Sequence, residues 1–342
     1  MLSPESKTIT VGIINYNGES VLPDTLDSVL AQEYPAVQEV LVVDDCSSDG
    51  SVSLLHERFP HVHVIEQDKN RGPNPARNRA LREAKSDFCL LMDNDVVLEK
   101  DVIRLLVEAF ETVPDAGVVS AQIRFRDEPH KIQYNGVHVH YTAGAVMNTE
   151  ESDRPIRVGA VSGGAILVDR KKAFEIGLFD EDFYSGWEDG DFTFRMGLSG
   201  YPVLVMTRAR VYHKKEATGL TRVAHQARNR WWFIYKNYSW RTIFLIMPML
   251  LFNQIAIGLF MTMKGRLGGF LKGNFDVLLT FSQVLRKRKQ VMRLKRVRDR
   301  DLLTGKSIDL TGDVPSSGIV RIGLQFLNQL FKLYWLLIRR IV

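Results

Sequence analysis

The sequence predicts an α/β fold with a mostly parallel β-sheet, followed by a helical C-terminal region. Three observations predict it. Short β-branched runs alternate with segments of helical periodicity through the first two-thirds of the chain. These runs are apolar throughout, as in strands buried on both faces of a parallel sheet. The last third differs, because the stretch 242–263 contains no charged residue.

The elements of the predicted sheet follow one another at short intervals. Strands are predicted at 8–17, 37–47, 61–67 and 87–95, and helices at 20–32, 51–59 and 75–84. In the first helix, for example, Leu22, Leu26 and Val29 recur at helical spacing. Ligands of such sheets bind beyond the carboxyl ends of the strands. Three strands end in polar clusters, which therefore mark a cleft: Asn15-Tyr16-Asn17, Asp44-Asp45 and Asp93-Asn94-Asp95.

Composition sets the limits of domain number and compartment. The 342 residues, 45% hydrophobic and 25% charged, have a globular composition that favours two domains. We divide them into the α/β domain 1–225 and a helical C-terminal region 226–342 with membrane-interfacial or re-entrant segments. Cys46 and Cys89 follow no metal spacing, which favours a reducing compartment without disulfides. The opening residues MLSPESKTIT lack the apolar core of a secretory signal, so we expect the N-terminal part in the cytosol. The basic stretch 286–300 would attract nucleic acid or an anionic membrane.

Asp93 and Asp95 interrupt an apolar run, CLLM, at the point where a buried strand should continue. Side chains at i and i+2 of a strand share a face, and two like charges there repel. We therefore expect a cationic or hydrogen-bonding group between them. A polar turn at the strand end would also explain the pattern, because Asp and Asn favour turns.

A glycine-rich phosphate loop does not follow the first strand. The segment NYNGES holds one glycine, and neither G-x-G-x-x-G nor G-x-x-x-x-G-K-[ST] occurs in the sequence. This disfavours a dinucleotide dehydrogenase and a P-loop phosphotransferase. If a nucleotide binds, a metal held by carboxylates must neutralise its phosphates.

A second informative stretch runs from the turn Ser162-Gly163-Gly164 to an acidic helix N-terminus. The helix dipole alone would explain Glu188 or Asp191. Asp189 lies behind Trp187, and an aromatic wall beside a carboxylate suits a ring-shaped substrate with a general base.

His213 ends the following strand, YPVLVMTRARVYH. A single histidine at a strand end is most often a surface residue or one satisfied internally. Beside a carboxylate site, however, an imidazole is also a candidate metal ligand.

Seven segments in order resemble inverting family-2 glycosyltransferases of the GT-A fold, especially rhamnosyl- and galactofuranosyl-type transferases. They are ITVGIINYNGE, VLVVDDCSSDGS, NRGPNPARNRAL, LLMDND, SGGAILV, GLFDEDFYSGWEDGDFTFRMGLSGYPV and VYH. The resemblance covers residues 8–215. It implies a GT-A, Rossmann-like nucleotide-diphospho-sugar transferase.

The resemblance also implies roles for the matched residues. Nucleotide contacts are expected from Asn15, Tyr16, Asn17, Asp44, Asp45, Arg77 and Asp93. Asp95 and His213 are expected to hold Mn²⁺ or Mg²⁺, and Asp189 to be the general base. Gly163, Gly164, Trp187 and Glu188 are expected to contact the sugar or the acceptor.

Elementary chemistry is consistent with this assignment. Expulsion of a nucleoside diphosphate develops negative charge that a divalent metal stabilises, and the attacking hydroxyl needs a base. We therefore predict transfer from a nucleotide-diphosphate donor, with dTDP-rhamnose favoured, to a saccharide or lipid-linked acceptor. A nucleotidyltransferase would be expected to carry a basic glycine-rich loop. A non-catalytic nucleic-acid or membrane-binding protein would leave the acidic residues unexplained, and we expect no nucleic-acid partner.

The uncharged stretch 242–263 approaches the length of a membrane span. A buried helix of a C-terminal subdomain is the alternative, and Pro248, Asn253 and Gln254 weaken a straight span. Both flanks are basic, which favours a re-entrant or interfacial segment at the cytoplasmic face of a membrane.

Two further tail segments complete the prediction. The apolar stretch 324–342, with aromatic and arginine residues, is a second interfacial candidate. Between the two apolar stretches, 304–318 is predicted to be a loop.

Overall fold

A computed structural model describes residues 7–214, 222–308 and 318–342, the side chains of 318–321 excepted. Within these ranges the chain forms two compact units. The first comprises 7–136, 149–196 and 201–214, and the second comprises 137–148, 197–200, 222–308 and 318–342. The predicted boundary after residue 225 stays a prediction, and the second unit also takes in two short segments that composition does not distinguish.

The strands are short and mostly buried. They are β1 (Ile9–Asn15), β2 (Val37–Asp44), β3 (His63–Glu66), β4 (Phe88–Asp93), β5 (Val96–Leu98), β6 (Val118–Phe125), β7 (Ile132–Tyr134), β8 (Val137–His140), β9 (Ala145–Met147), β10 (Ile156–Arg157), β11 (Ala165–Asp169), β12 (Val203–His213) and β13 (Leu303–Thr304).

Helices connect the strands of the first unit and dominate the second. They are α1 (Leu22–Leu30), α2 (Ser51–Arg58), α3 (Pro73–Glu83), α4 (Val102–Thr112), α5 (Arg170–Glu175), α6 (Glu188–Leu198), α7 (Val223–Asn237), α8 (Trp240–Met263), α9 (Leu267–Leu279), α10 (Phe281–Leu294), α11 (Asp299–Leu302) and α12 (Gly318–Ile338).

The first unit is built on one mixed sheet of ten strands in the order β10-β12-β6-β11-β4-β1-β2-β3, with β5 paired to β12 and β7 to β6. The first four major strands are parallel, as β1 pairs in parallel with both β2 and β4, and β2 with β3. Strand β11 is antiparallel to both of its neighbours, β4 and β6. The α/β fold class is confirmed, and the sheet is mixed where the sequence predicted it mostly parallel.

Apolar side chains on both faces hold this sheet in the core. All seven residues of β1 are buried, among them Ile9, Val11 and Ile13 with no exposed surface. Leu22 and Leu26 of α1 pack into the same core and are equally inaccessible. Burial of each aliphatic side chain contributes about 1.5–3 kcal/mol. A shift of a strand along the sheet would expose some of these side chains, so their burial fixes where each strand ends.

The second unit combines a small sheet, in the order β13-β8-β9, with helices α7 to α12. Among the described residues α8 is the one helix long and apolar enough to cross a membrane, with a mean hydropathy of 2.1 and 22% of its apolar window buried. It has two faces. Ile246 and Leu250 have no exposed surface, whereas Phe244 is 80% and Ile255 64% exposed.

Polar groups at the N-terminus and in the middle of α8 are satisfied inside the second unit. The side chain of Ser239 caps its N-terminus, and the Ser239 N–H donates to Asp299 Oδ2 at 2.8 Å. Further along, Gln254 Oε1 accepts from Arg230 Nη1 at 2.8 Å. These partners explain how a helix with Gln254 in its middle is stable on one face of a folded unit.

The basic stretch 286–300 is partly structural. Arg288 is 6% exposed and donates to the carbonyl oxygens of Tyr235, at 2.6 Å, and of Tyr238. Lys295 pairs with the buried Asp299. Of the predicted loop 304–318, Thr304 belongs to β13, 305–308 have no regular structure, 309–317 lie outside the described residues, and Gly318 begins α12.

Candidate active site

Hydrogen bonds join the carboxyl ends of three adjacent strands. Asn15, at the end of β1, donates through Nδ2 to Asp44 Oδ1 at 2.7 Å and accepts from Asn94 Nδ2 at 2.7 Å. Asn15 and Asp44 are almost completely buried. The polar clusters predicted at strand ends therefore lie together at one edge of the sheet, as the topology of parallel strands requires.

Asp44 and Asp45 organise the loops around this edge. Ser47 N donates to Asp44 Oδ2 at 2.8 Å, while Asp45 accepts from Arg71 N at 3.0 Å and Gly72 N at 2.8 Å. Burial raises the pKa of Asp45 against the opposing effect of these backbone donors. Both carboxylates are thus used internally, and their predicted contacts with a nucleotide stay a prediction.

Tyr16 and Asn17 lie at the open side of the same edge. Tyr16 is 50% exposed, and Asn17 Oδ1 accepts from Ser48 N at 2.8 Å. Asn17 has a φ of 50°, a left-handed conformation that asparagine tolerates. The exposed ring of Tyr16 is available for stacking on a flat ligand.

Arg77 of α3 is a buried cation between two of the predicted site residues. Its Nη2 donates to Asp93 Oδ1 at 2.9 Å and its Nη1 to Asp189 Oδ1 at 2.5 Å. Burial would lower the pKa of Arg77, but the charges of Asp189, Asp93 and Glu188 outweigh it and raise the pKa above its usual value. Arg77 therefore stays charged and links the end of β4 to the start of α6.

Asp93 and Asp95 do not share one strand face, which corrects the expectation from i, i+2 spacing. Strand β4 ends at Asp93, Asn94 and Asp95 form a turn, and β5 then pairs antiparallel with β12. The two carboxylates consequently reach different partners. Asp93 contacts Arg77, and Asp95 Oδ2 lies 3.0 Å from His213 Nε2.

The imidazole of His213 is oriented from its other side by a glutamine. Its Nδ1 lies 3.0 Å from Gln133 Oε1, an oxygen that can only accept. If Nδ1 carries the proton, Nε2 presents its lone pair to the Asp95 carboxylate, and two acceptors at 3.0 Å require a proton or a cation between them.

Asp95 and His213 fit a divalent cation that is completed by phosphate oxygens. No cluster of three or more His, Cys, Asp or Glu side chains that could hold a metal occurs within the described ranges. Mg²⁺ in nucleotide enzymes is commonly bound through one or two carboxylates plus substrate phosphates. A carboxylate and an imidazole, the latter a ligand that Mn²⁺ accepts more readily, meet that minimum.

Gly163 lets the chain pass closely over the Arg77–Asp189 pair. A Cβ at this position would lie 2.6 Å from Asp189 Oδ1 and 2.7 Å from Arg77 Cζ. The carbonyl oxygen of Gly164 accepts from Asp93 N at 3.2 Å. Both predicted glycines therefore border the carboxylates, and at Gly163 a larger residue would displace Asp189.

Glu188 opens α6 beside the same pair, and Trp187 directly precedes it. Trp187 has a left-handed φ of 66° and its ring would meet a Cβ added at Gly190 at 2.7 Å. Burial, and then the charge of Asp189, raises the pKa of Glu188 to about 7. Glu188 Oε2 is buried and has no hydrogen-bonding partner among the described residues, so a ligand group could satisfy it.

Asp191 has a structural task instead. It has no exposed surface, and its Oδ2 accepts from Arg195 Nε at 2.8 Å. Arg195 in turn donates to the carbonyl oxygens of Ile176 and Leu178 at 2.7 and 2.6 Å. Of the three acids near the start of α6, only Glu188 and Asp189 border the proposed site.

Two contacts of the site were not predicted from the sequence. Gln133 orients His213, and the half-buried Tyr134 lies close enough to Asp189 that this charge, after burial, raises the pKa of its hydroxyl. The segment 132–134 carries no motif, and only the pairing of β7 with β6 brings it to the site.

Comparisons with known proteins bear on the family and the fold. A family model described as "Glycosyl transferase family 2" matches residues 10–172. The poly-beta-1,6-N-acetyl-D-glucosamine synthase of Staphylococcus aureus (strain COL) is 26% identical over 204 residues, 58% of this chain and 48% of that protein. The chain thus spans about half the length of the curated relatives it matches.

Solved structures share the fold at low sequence identity. GalNAc-T7 with UDP, GalNAc and Mn²⁺ has a TM-score of 0.60 at 18% identity, covering 72% of this chain and 52% of that one. S. aureus TarS 1-349 in complex with UDP-GlcNAc has a TM-score of 0.53 at 17% identity, covering 96% and 89%.

Proposed function

Residues 10–172 belong to glycosyl transferase family 2, on a GT-A-like mixed sheet, and on this premise we propose that the chain is an inverting, metal-dependent glycosyltransferase. It transfers a sugar from a nucleotide-diphosphate donor to a hydroxyl of a saccharide or lipid-linked acceptor. The observation that carries the proposal is the placement of Asp189 and Asp93 on one buried arginine, Arg77, with Asp95 and His213 in contact at the same sheet edge.

Asp95 and His213 would hold the metal, Mn²⁺ or Mg²⁺. When bound, the metal would neutralise charge that develops on the departing nucleoside diphosphate. Asp93 and the exposed Tyr16 border the space available to the ribose and the base. Asn15, Asp44 and Asp45 support that space by fixing the loops around it.

Asp189 acts as the general base. Its carboxylate, 19% exposed, is held at one oxygen by Arg77, which leaves the other oxygen to accept a proton from the acceptor hydroxyl. Asp191 is unsuited because it is fully buried in its pair with Arg195. Glu188, with a pKa of about 7, would be partly protonated at neutral pH and suits a contact with a substrate hydroxyl.

The donor sugar separates two versions of the proposal. The sequence resemblance favoured dTDP-rhamnose, whereas the similar proteins, a poly-N-acetylglucosamine synthase and structures bound to UDP with GalNAc or to UDP-GlcNAc, favour a UDP-linked N-acetylhexosamine. We therefore propose UDP-GlcNAc as the first candidate donor and dTDP-rhamnose as the second. The curated relative is a polysaccharide synthase, which favours an acceptor in cell-envelope polysaccharide synthesis.

The rival classes are less well supported. The family match leaves a nucleotidyltransferase without support, and part of the basic stretch is committed to internal bonds through Arg288 and Lys295. The exposed apolar face of α8 supports a position at a membrane surface, which we place at the cytoplasmic face because the donors are cytosolic.

Isothermal titration of the full chain with UDP and with dTDP, each with and without Mn²⁺, tests the proposal. We expect Mn²⁺ to be required for tight binding, and UDP to bind more tightly than dTDP. Asp95→Ala should abolish the effect of Mn²⁺, because a lost carboxylate leaves the diphosphate charge under-compensated. His213→Ala should weaken Mn²⁺ binding less.

The exposed Asp68→Ala, 75% accessible, is the matched control and should bind as the unaltered chain does. Equal nucleotide affinity with and without Mn²⁺ would contradict the metal site. Binding of RNA in place of both nucleotides would favour the non-catalytic rival.

A further inference from the structure

Two neighbouring cavities of the second unit share α12 and the segment 304–308. One is a groove of about 400 Å³ lined by α8, α12 and Ile308. The other is a pocket of about 400 Å³ lined by 304–307 and the last turns of α12. Their chemistry differs sharply.

The groove is mostly apolar, with Asn253 and Asn328 as its polar lining residues. Phe252 and Leu259 of α8 and Leu324 and Leu327 of α12 line it. Leu259 remains 65% exposed although it is a large hydrophobic residue. A Cβ added at Gly323, which also lines the groove, would meet nothing within 4 Å, so no described residue fills the groove there.

The pocket is cationic. Lys306, Lys332 and Arg339 line it, and its lining includes no acidic residue. No ion pair of these three side chains occurs with any residue that the structure describes. Three cations around one space, with no counter-charge from the described residues, favour an anion with more than one negative charge.

The two cavities lie end to end along one face of α12. Phe331 lines the groove and Trp335, one helical turn later, lines the pocket. Both are buried, and the Trp335 ring stacks on Tyr141 at 5.1 Å between centroids. From Leu327 to Arg339 the helix rises by about 18 Å, at about 1.5 Å per residue. A rigid surface of this length suits an extended amphiphile.

We propose that the groove and the pocket together bind one lipid that has a single hydrocarbon chain and a terminal diphosphate. One groove accommodates one chain, whereas the second chain of a diacyl phospholipid would lie outside the site. Three cations match a diphosphate better than the single negative charge of a phosphodiester head group. The inference rests on the proposed function in naming a carrier for a lipid-linked acceptor, but binding itself requires no sugar transfer.

Equilibrium binding of radiolabelled geranylgeranyl diphosphate to the full chain in detergent micelles tests the proposal. The double variant Lys332→Gln/Arg339→Gln should weaken binding by about tenfold or more, because charge-assisted bonds to phosphate are lost. Geranylgeraniol should then bind the variant and the unaltered chain equally. Gly323→Leu, which fills open space, should weaken both ligands.

The matched control is Lys289→Gln/Arg293→Gln, which removes two exposed cations of α10 that do not line the pocket. It should change the affinity less than twofold. Full affinity in Lys332→Gln/Arg339→Gln would overturn the proposal, and so would equal competition by phosphatidylglycerol. Binding should persist in Asp189→Asn, so failure of this site and failure of the proposed transferase activity are separable.

Discussion

Arg77 is a buried cation that serves two carboxylates with different proposed tasks. Through Asp93 it touches the space assigned to the donor, and through Asp189 the proposed base. Removing one partner of a buried ion pair costs about 3–5 kcal/mol, since the remaining charges are uncompensated. A substitution of Arg77 would therefore not separate donor binding from proton removal, whereas substitutions of its neighbours can.

Glu188 offers a test of site electrostatics by pH. Its pKa is about 7 in the folded chain against an ordinary 4.5, so the folded state holds an extra proton between these values. Folding stability is consequently greatest below the lower value and falls as pH rises through about 7. The Glu188→Gln side chain cannot ionise. The free energy of unfolding of this variant, relative to that of the unaltered chain, should therefore rise by up to about 1.4 kcal/mol per pH unit between the two values.

Urea denaturation at pH 5, 6, 7 and 8 measures this difference. Glu57→Gln, which changes an exposed carboxylate on α2, is the control and should follow the unaltered chain at every pH. Parallel stability curves for Glu188→Gln and the unaltered chain would contradict an elevated pKa at Glu188.

At the scale of elements, α9 depends on a glycine where it crosses α7. A Cβ at Gly273 would lie 2.2 Å from the carbonyl oxygen of Ala224, whereas at Gly268 of the same helix it would meet nothing within 4 Å. Gly273→Ala should therefore lower the free energy of unfolding by about 1–3 kcal/mol. Gly268→Ala should be neutral or stabilising by up to about 1 kcal/mol, from helix propensity.

Thermal unfolding of the two variants in the same detergent provides the comparison. A midpoint for Gly273→Ala equal to that of Gly268→Ala would mean that the two helices do not approach as closely as described.

Periodicity predicted the elements that are amphipathic or continuously apolar over a sufficient length. The helix predicted at 75–84 is Pro73–Glu83, and the strand predicted at 87–95 is Phe88–Asp93. The strand ends early because Asn94 and Asp95 form the turn into β5, which pairs with β12. The periodicity of a segment cannot predict its pairing with a strand as distant in sequence as β12.

The small sheet of the second unit was not predicted for the same reason. Its strands have two to four residues, too few for alternation to be visible. Strand β13 at Leu303–Thr304 pairs with β8, far away in the sequence. In the site, likewise, residue types indicated Asp189 and the family resemblance indicated Arg77, but their mutual contact depends on tertiary packing.

At the scale of the whole molecule, exposed apolar side chains are concentrated on three helices of the second unit. Phe244 of α8 is 80%, Leu278 of α9 71% and Leu337 of α12 76% exposed. We expect the chain to sediment with membranes, to remain there in high salt and to be released by detergent, because apolar burial dominates over charge attraction.

The triple variant Phe244→Ser/Leu278→Ser/Leu337→Ser should shift much of the protein to the soluble fraction. A control with three serines at exposed charged positions, Lys100, Glu111 and Lys171, should stay with the membranes. Complete release of the unaltered chain by salt alone would contradict the membrane proposal.

The two units carry different proposed sites. All the residues assigned to donor, metal and base belong to the first unit, whose family match spans 10–172. The lipid site proposed above belongs to the second. The central claim, that Asp189 removes the acceptor proton in a sugar transfer, therefore concerns the first unit.

Turnover of Asp189→Asn, measured with donor affinity on the same preparation, tests this claim most directly. Asparagine keeps the shape of the side chain but cannot accept the proton, so the turnover number should fall by about 10²–10⁴ while donor affinity changes only a few-fold. Asp191→Asn would disturb the buried Arg195 and is not a matched control, whereas Asp182→Asn, on an exposed loop, should keep full turnover. An Asp189→Asn enzyme that retains the turnover of the unaltered chain would contradict the account.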